Sequence, residues 1–285
     1  MKWLIVILVA LSPAAMAGPV QIRLGERVLN ADLRRPPQAD VQRIFLIVHG
    51  TWAHAGMEII DQVQTLLEDA GEASLAITLS LGMDNRQGFL GCDAPVVANH
   101  QQAVSEIDHW VKHLGSKWQQ VVLIGHSRGG NQVALYQLQK ASEKVSHLAL
   151  IAPMSESADD VTRAYREKFN TELAQVIKMA RQHPQRFIDA GLLSCLNAEV
   201  LATSFLSYYS DQPNRNTPAL LAAMDLPTLV FQGSEDPLAK TYLSQSRLFP
   251  ANPIVETIWI EGADHFFRDL YADELVEHLL QWLDR

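Results

Sequence analysis

The chain has little cysteine, a shortage of positive charge and no second long apolar run. Only Cys92 and Cys195 occur in its 285 residues. So few thiols exclude a disulfide-dense miniature fold, and no Cys/His cluster has zinc-ligand spacing, so no metal is expected. Lys and Arg number 23 against 32 Asp and Glu, a net charge of −9. That acidity argues against nucleic acid or an anionic membrane surface as partner. No internal repeat or low-complexity tract is visible, which excludes a solenoid. Apolar residues at 48% and charged residues at 19% exclude disorder and allow a sizeable core.

The one long apolar run covers residues 3–11, too short to span a bilayer. Lys2 precedes it, Ser12 and Pro13 break it, and Ala15-Met16-Ala17 places small residues where a signal peptidase reads them. Residues 1–17 are expected to be a signal peptide rather than an anchor or a buried first strand. Residues 18–285 then form one exported domain, periplasmic or extracellular, with no membrane span. In an oxidising compartment the cysteines permit one disulfide, Cys92–Cys195, and separately buried thiols are the other reading.

The rest alternates short apolar strands with amphipathic segments. Residues 20–24 and 27–33 read as an opening hairpin turned at Gly25-Glu26. The apolar runs 44–48 and 121–124 fit strands buried on both faces. Residues 75–79, 145–151, 229–231 and 257–260 complete the strand set, and helical spacing covers 59–70, 96–114, 131–139 and 270–283. This alternation implies an α/β fold, a mostly parallel central sheet with helices on both faces. Residues 154–226 break the rhythm: the spacing predicts helices over 158–181 and 184–193, then the aromatic run ending in Tyr208-Tyr209, and no buried strand. Long insertions are usually lids or binding elements. On that reading Trp52, Tyr208 and Tyr209 are candidate pocket-wall groups, whereas aromatics at helical spacing are more plainly core.

Gly125-His126-Ser127-Arg128-Gly129 matches G-x-S-x-G, directly after residues 121–124 and before a helix. The glycines flanking such a serine have to approach each other closely, and the turn sets the hydroxyl at a helix N-terminus. A serine hydroxyl needs a base to act as a nucleophile. His265, after the last strand, is the candidate base. Asp236, after the strand at 229–231, is the candidate acid that fixes its tautomer. Glu235 and Asp264 are weaker alternatives for that acid. His49-Gly50-Thr51-Trp52 follows the strand at 44–48. There the backbone N–H of Thr51, or alternatively Trp52, is expected to join that of Arg128 in an oxyanion hole, with His49 structural.

These motifs, in this order and each at a strand end, resemble the α/β-hydrolase superfamily over about residues 40–285. More narrowly, the chain resembles exported bacterial α/β-hydrolases with a GHSRGG elbow at 125–130, a loop cysteine matching Cys92 and a Ser-Phe-Leu-Ser-Tyr-Tyr segment at 204–209. The resemblance implies the α/β-hydrolase fold with a helical lid or cap. It also implies a Ser127–Asp236–His265 triad, and it implies no particular substrate; the triad residues themselves are read as acting on a small ester-like substrate through an acyl-enzyme, with no cofactor. A C–C hydrolase, amidase or acyltransferase would use the same triad, and a binding protein that had lost turnover would keep the scaffold.

Overall fold

In the computed structural model the described residues are 18–36, 41–210 and 213–285. The expected signal peptide, residues 1–17, lies outside them. β1 (Gly18–Leu24) and β2 (Arg27–Arg34) form the opening antiparallel hairpin. β3 (Arg43–Val48), α1 (Glu58–Asp69), β4 (Ala73–Thr78), α2 (His100–Gly115), β5 (Gln120–His126), α3 (Arg128–Lys140) and β6 (Val145–Ile151) follow. The insertion then supplies α4 (Ala158–Phe169), α5 (Leu173–Gln182), β7 (Phe187–Leu192), β8 (Cys195–Leu201), α6 (Ala202–Tyr209), a short 3-10 turn and α7 (Thr217–Ala222). The chain closes with β9 (Thr228–Gly233), α8 (Ala239–Ser246), β10 (Val255–Ile260) and α9 (Leu270–Leu283).

The main sheet has 8 strands in the order β1-β2-β4-β3-β5-β6-β9-β10. From β4 to β10 every neighbour is parallel, and β2 joins that block antiparallel. Every residue of β4 and β9 is buried, which explains why their apolar runs do not alternate. Helices α2 and α3 cover one face through Val104, Ile107, Trp110 and Val133. Helices α1 and α9 cover the other through Ile60, Val63, Leu275 and Leu279. Between β4 and β5 the chain crosses β3 to begin the other half of the sheet. Ligands of such sheets bind in the crevice beyond the carboxyl ends of the strands at this switch point. Thr51 and Ser127 emerge there.

The insertion departs from expectation in detail. Residues 184–193, read as a helix, instead contain β7, paired antiparallel with β8. Ile188, Ala190 and Leu192 are buried while Phe187 and Asp189 are exposed, so the period is two and not 3.6. The helix expected over 158–181 is broken at Asn170, which adopts a left-handed conformation (φ 49°) and caps α4. Helix α2 begins at His100 rather than at 96, because Asn99 forms a capping box with Gln102. Val96 bridges to Val200 of the inserted hairpin. The insertion has its own apolar cluster, in which Tyr165, Phe205 and Tyr209 stack at centroid distances of 4.8 to 6.1 Å.

Cys92 and Cys195 form a disulfide, with Cα atoms 5.5 Å apart and a sequence separation of 103. It ties the loop before α2 to the start of β8. A loop of this length carries an entropic stabilisation of about 4–5 kcal/mol in the chain-entropy model. Complete reduction is expected to lower the thermal midpoint by roughly 2–4 °C per kcal/mol lost, read by circular dichroism with and without reductant. Thiol titration of the denatured, unreduced chain is expected to find no free thiol. An unchanged midpoint after full reduction would remove the bond from the stabilising contacts.

Candidate active site

Ser127 connects β5 to α3 with φ 55° and ψ −119°, a conformation that costs a non-glycine residue about 1–3 kcal/mol. The turn closes only because its neighbours lack side chains. A Cβ on Gly125 would lie 2.5 Å from the Gly129 carbonyl oxygen, and one on Gly129 would overlap the carbonyl oxygens of Val48 and His49. The strained turn is pinned from both sides. Ser127 N–H donates to the Ile151 carbonyl at 2.8 Å, and Met154 N–H donates to the Ser127 carbonyl at 2.9 Å.

His265 and Asp236 arrive on the loops after β10 and β9. Ser127 Oγ lies 3.0 Å from His265 Nε2, and His265 Nδ1 lies 2.7 Å from Asp236 Oδ2. With the proton on Nδ1, the ring donates to the carboxylate and accepts from the serine hydroxyl. Asp236 is 1% exposed at its side chain, and its second oxygen accepts from Leu238 N–H at 2.8 Å. Neither alternative acid occupies this place. Asp264 is turned to Phe266 N–H and Arg268. Glu235 is fixed through its backbone N–H to the Ala263 carbonyl. His126 lies beside the triad, its Nε2 donating to the His265 carbonyl at 2.9 Å, so it holds the base's loop.

Arg128 opens α3, so its N–H is one that a helix leaves without an intrahelical partner. Its side chain reaches back to the other expected oxyanion residue, with Nε donating to Thr51 Oγ1 at 3.0 Å. Ser127 and Thr51 border two cavities. One of about 300 Å³ is walled by Met57, Ile59, Ile60, Phe89, His265 and Phe266. The other, about 370 Å³, is walled by Arg128 and by Met154, Glu156 and Val161 of the insertion.

The pocket-wall aromatics sit elsewhere. Trp52, Tyr208 and Tyr209 are 2%, 2% and 5% exposed, and they belong to the insertion's own cluster rather than to either cavity wall. Helix α6 turns the two tyrosines inward: Tyr208 faces the Arg128 guanidinium at 5.4 Å, and Tyr209 Oη accepts from Leu193 N–H at 2.8 Å. Helix α4 and the strand end at Met154 take the cavity-wall position instead.

Sequence reading passed over Arg86, which is 5% exposed. Its guanidinium donates to the carbonyls of Leu79 and Ala53 at 2.6 Å each, to those of Trp52 and Gly88, and approaches His49 Nε2 at 3.2 Å. One planar fork therefore fixes the turn that carries Thr51. His49 is structural, its Nδ1 donating to the Gly50 carbonyl at 2.8 Å and its Nε2 accepting from Leu79 N–H at 3.0 Å. A lone arginine in a glycine-rich loop carries no pattern that separates it from a solvated one.

Residues 45–278 match the model of the alpha/beta hydrolase family. Among solved structures, Est1E from Butyrivibrio proteoclasticus with ferulic acid bound is 16% identical at a TM-score of 0.68, covering 93% of this chain and 100% of that one. A monoacylglycerol lipase from Paleococcus ferrophilus is 18% identical at 0.60, covering 90% and 98%. A proline iminopeptidase from Mycobacterium smegmatis is 14% identical at 0.60, covering 94% and 98%. At these identities the likeness is one of fold.

Arg86→Ala leaves several buried carbonyls without a donor. It is expected to cost about 2–5 kcal/mol in urea unfolding, and Arg86→Lys to recover only part of it because an ammonium cannot span the fork. A midpoint unchanged in Arg86→Ala would show that water replaces the fork at no cost. Burial also holds His49 and His100 at about 3 and His126 at about 4. An unfolded imidazole takes up its proton near pH 6.5, so between about 6.5 and 4 the unfolded chain binds more protons at these positions. Their contribution to stability is present above that window and lost as pH falls through it. Glu106, raised by burial, acts with the opposite sign. The urea midpoint is expected to be lower at pH 5 than at pH 7.5; a midpoint equal or higher at pH 5 would refute this.

Proposed function

Because the chain belongs to the alpha/beta hydrolase family, we propose that it is a serine hydrolase that cleaves a small ester-like substrate through an acyl-enzyme. The observation that carries this reading is the continuous Ser127–His265–Asp236 hydrogen-bonded chain, with lengths of 3.0 and 2.7 Å, at the crevice end of the sheet. Ser127 Oγ attacks the carbonyl carbon while His265 Nε2 takes the hydroxyl proton. Asp236 holds the tautomer and stabilises the imidazolium. The N–H groups of Thr51 and Arg128 are assigned to the developing oxyanion, where each well-placed donor lowers the barrier by about 3 kcal/mol. His265 returns its proton to the leaving alcohol. A water molecule, deprotonated by the same ring, then releases the acid and regenerates Ser127.

Residues 154–226 serve in this reading as a cap whose α4 forms one cavity wall. Export is supported by the A-x-A pattern at 15–17 and by the disulfide, which persists in oxidising compartments. Among the described residues no helix is long and apolar enough to cross a membrane. The reading favours esters because the cavity beside His265 is walled by Met57, Ile59, Ile60, Phe89 and Phe266, apolar side chains that suit an alcohol leaving group.

Labelling with a fluorophosphonate probe tests the mechanism. The unaltered chain is expected to label at Ser127, and Ser127→Ala to lose both labelling and hydrolysis of p-nitrophenyl esters by roughly 10³-fold or more. His265→Ala is expected to lose a comparable amount and Asp236→Asn less. Full turnover in Ser127→Ala would refute the assignment.

A further inference from the structure

Arg128 is a charged side chain held away from water beside the nucleophile. It is 6% exposed. Nε is satisfied by Thr51 and the guanidinium faces the Tyr208 ring, but Nη1 is buried with no hydrogen-bond partner among the described residues. Its neighbour Glu156 forms its ion pair with a different cation, Arg215, which is 1% exposed. Arg128 and Arg215 repel each other and draw on the same carboxylate. A buried positive charge is therefore left over in a chain whose net charge is −9. Unpaired buried charge is costly, and an anion delivered by a ligand would offset that cost.

Arg128 lines the cavity of about 370 Å³ that reaches Ser127. The other charges of that wall are accounted for: Asp160 pairs with Arg163, and Glu167 is exposed. His265 borders the apolar cavity and not this one. The leaving oxygen has to come within hydrogen-bond reach of His265 Nε2 to be protonated. The leaving alcohol is therefore assigned to the apolar cavity, which leaves the Arg128 cavity for the acyl chain.

We propose that Arg128 determines specificity by binding a carboxylate at the far end of the acyl chain, so that the site takes half-esters of short dicarboxylic acids. A planar guanidinium suits a carboxylate, and charge-assisted hydrogen bonds of this kind are the strong ones. The catalytic part of this proposal rests on the serine-hydrolase reading; the binding part does not.

The test compares p-nitrophenyl monoglutarate with p-nitrophenyl valerate, its neutral counterpart. In the unaltered chain kcat/KM is expected to favour the glutarate half-ester by about tenfold or more, the worth of one charge-assisted hydrogen bond. Arg128→Met is expected to bring the ratio close to one, whatever it does to the two rates separately, and Arg128→Lys to keep part of the preference. Independently of turnover, calorimetry is expected to find glutarate bound by the Ser127→Ala chain, and bound about tenfold or more weakly when Arg128→Met is added. A ratio at or below one in the unaltered chain overturns the proposal, as does a preference that survives Arg128→Met. If Arg128→Met fails to fold by circular dichroism, the unaltered chain decides alone, by its ester ratio and by binding of glutarate against neutral glutaramide. Arg128-dependent glutarate binding without probe labelling would refute the serine mechanism and keep the anion site. Labelling with no preference for the half-ester would do the reverse.

Discussion

The site depends on one close backbone approach. The first turn of α3 passes across the end of β3 so tightly that Gly129 meets the carbonyl oxygens of Val48 and His49. No side chain fits between them. That approach places the Ser127 turn against the loop that carries Thr51, and it requires β3 and β5 to be neighbours in the sheet. The strain at Ser127 is tolerated because buried strands fix both of its flanks, and the hydrogen bond to Ile151 ties it to the next strand as well. The neighbouring loops then have fixed positions to pack against: Arg86 secures one side of the crevice, and His126 secures the base's loop on the other.

The acid–base half of the site follows from the same sheet. β9 pairs in parallel with β6 and β10, so the loops after β9 and β10 emerge beside the turn that holds Ser127. Gly233 at the end of β9 lies against the Ala263 backbone, which draws the Asp236 and His265 loops together. The short Asp236–His265–Ser127 chain thus comes from strand order, and the first residue of the insertion adds the Met154 N–H that holds the Ser127 carbonyl. The insertion adds a different kind of control, setting the wall formed by α4 across the cavity from Arg128 of α3, beside the Ser127 turn.

The sheet was legible because its residues carry a one-dimensional pattern. Residues 121–124 are apolar without interruption since β5 is buried on both faces, and the glycines of the elbow mark a backbone that excludes Cβ atoms. The order of Ser127, Asp236 and His265 along the chain could be read because each follows a strand. The helix at 270–283 matched α9 because its apolar stripe has a single face to cover. The insertion was harder to read. β7 is short, contains Asp189 and Gly191, and pairs only with β8, so its period of two is seen only once the hairpin is formed. Arg86 and Arg128 were opaque for a related reason. Burial of a guanidinium is decided by carbonyls and rings that lie far apart in the chain, and the residue type alone points to solvent. Tyr208 and Tyr209 read as aromatics of an inserted segment, but the geometry of α6 decides which way they face.

The Cys92–Cys195 bond turns part of the chain into a covalent ring. Ser127 and Arg128 lie within it, and Asp236 and His265 lie outside, on the tail that leaves the ring at β8. A protease that cuts one peptide bond between the two cysteines opens the ring without releasing a fragment, so Ser127 stays covalently attached to Asp236 and His265. A cut between Cys195 and Asp236 has no such protection and separates Asp236 and His265 covalently from Ser127. The covalent cross-link and the Ser127–His265–Asp236 hydrogen bonds therefore join complementary parts of the molecule: one closes the segment that bears Ser127, and the other fastens the tail to it.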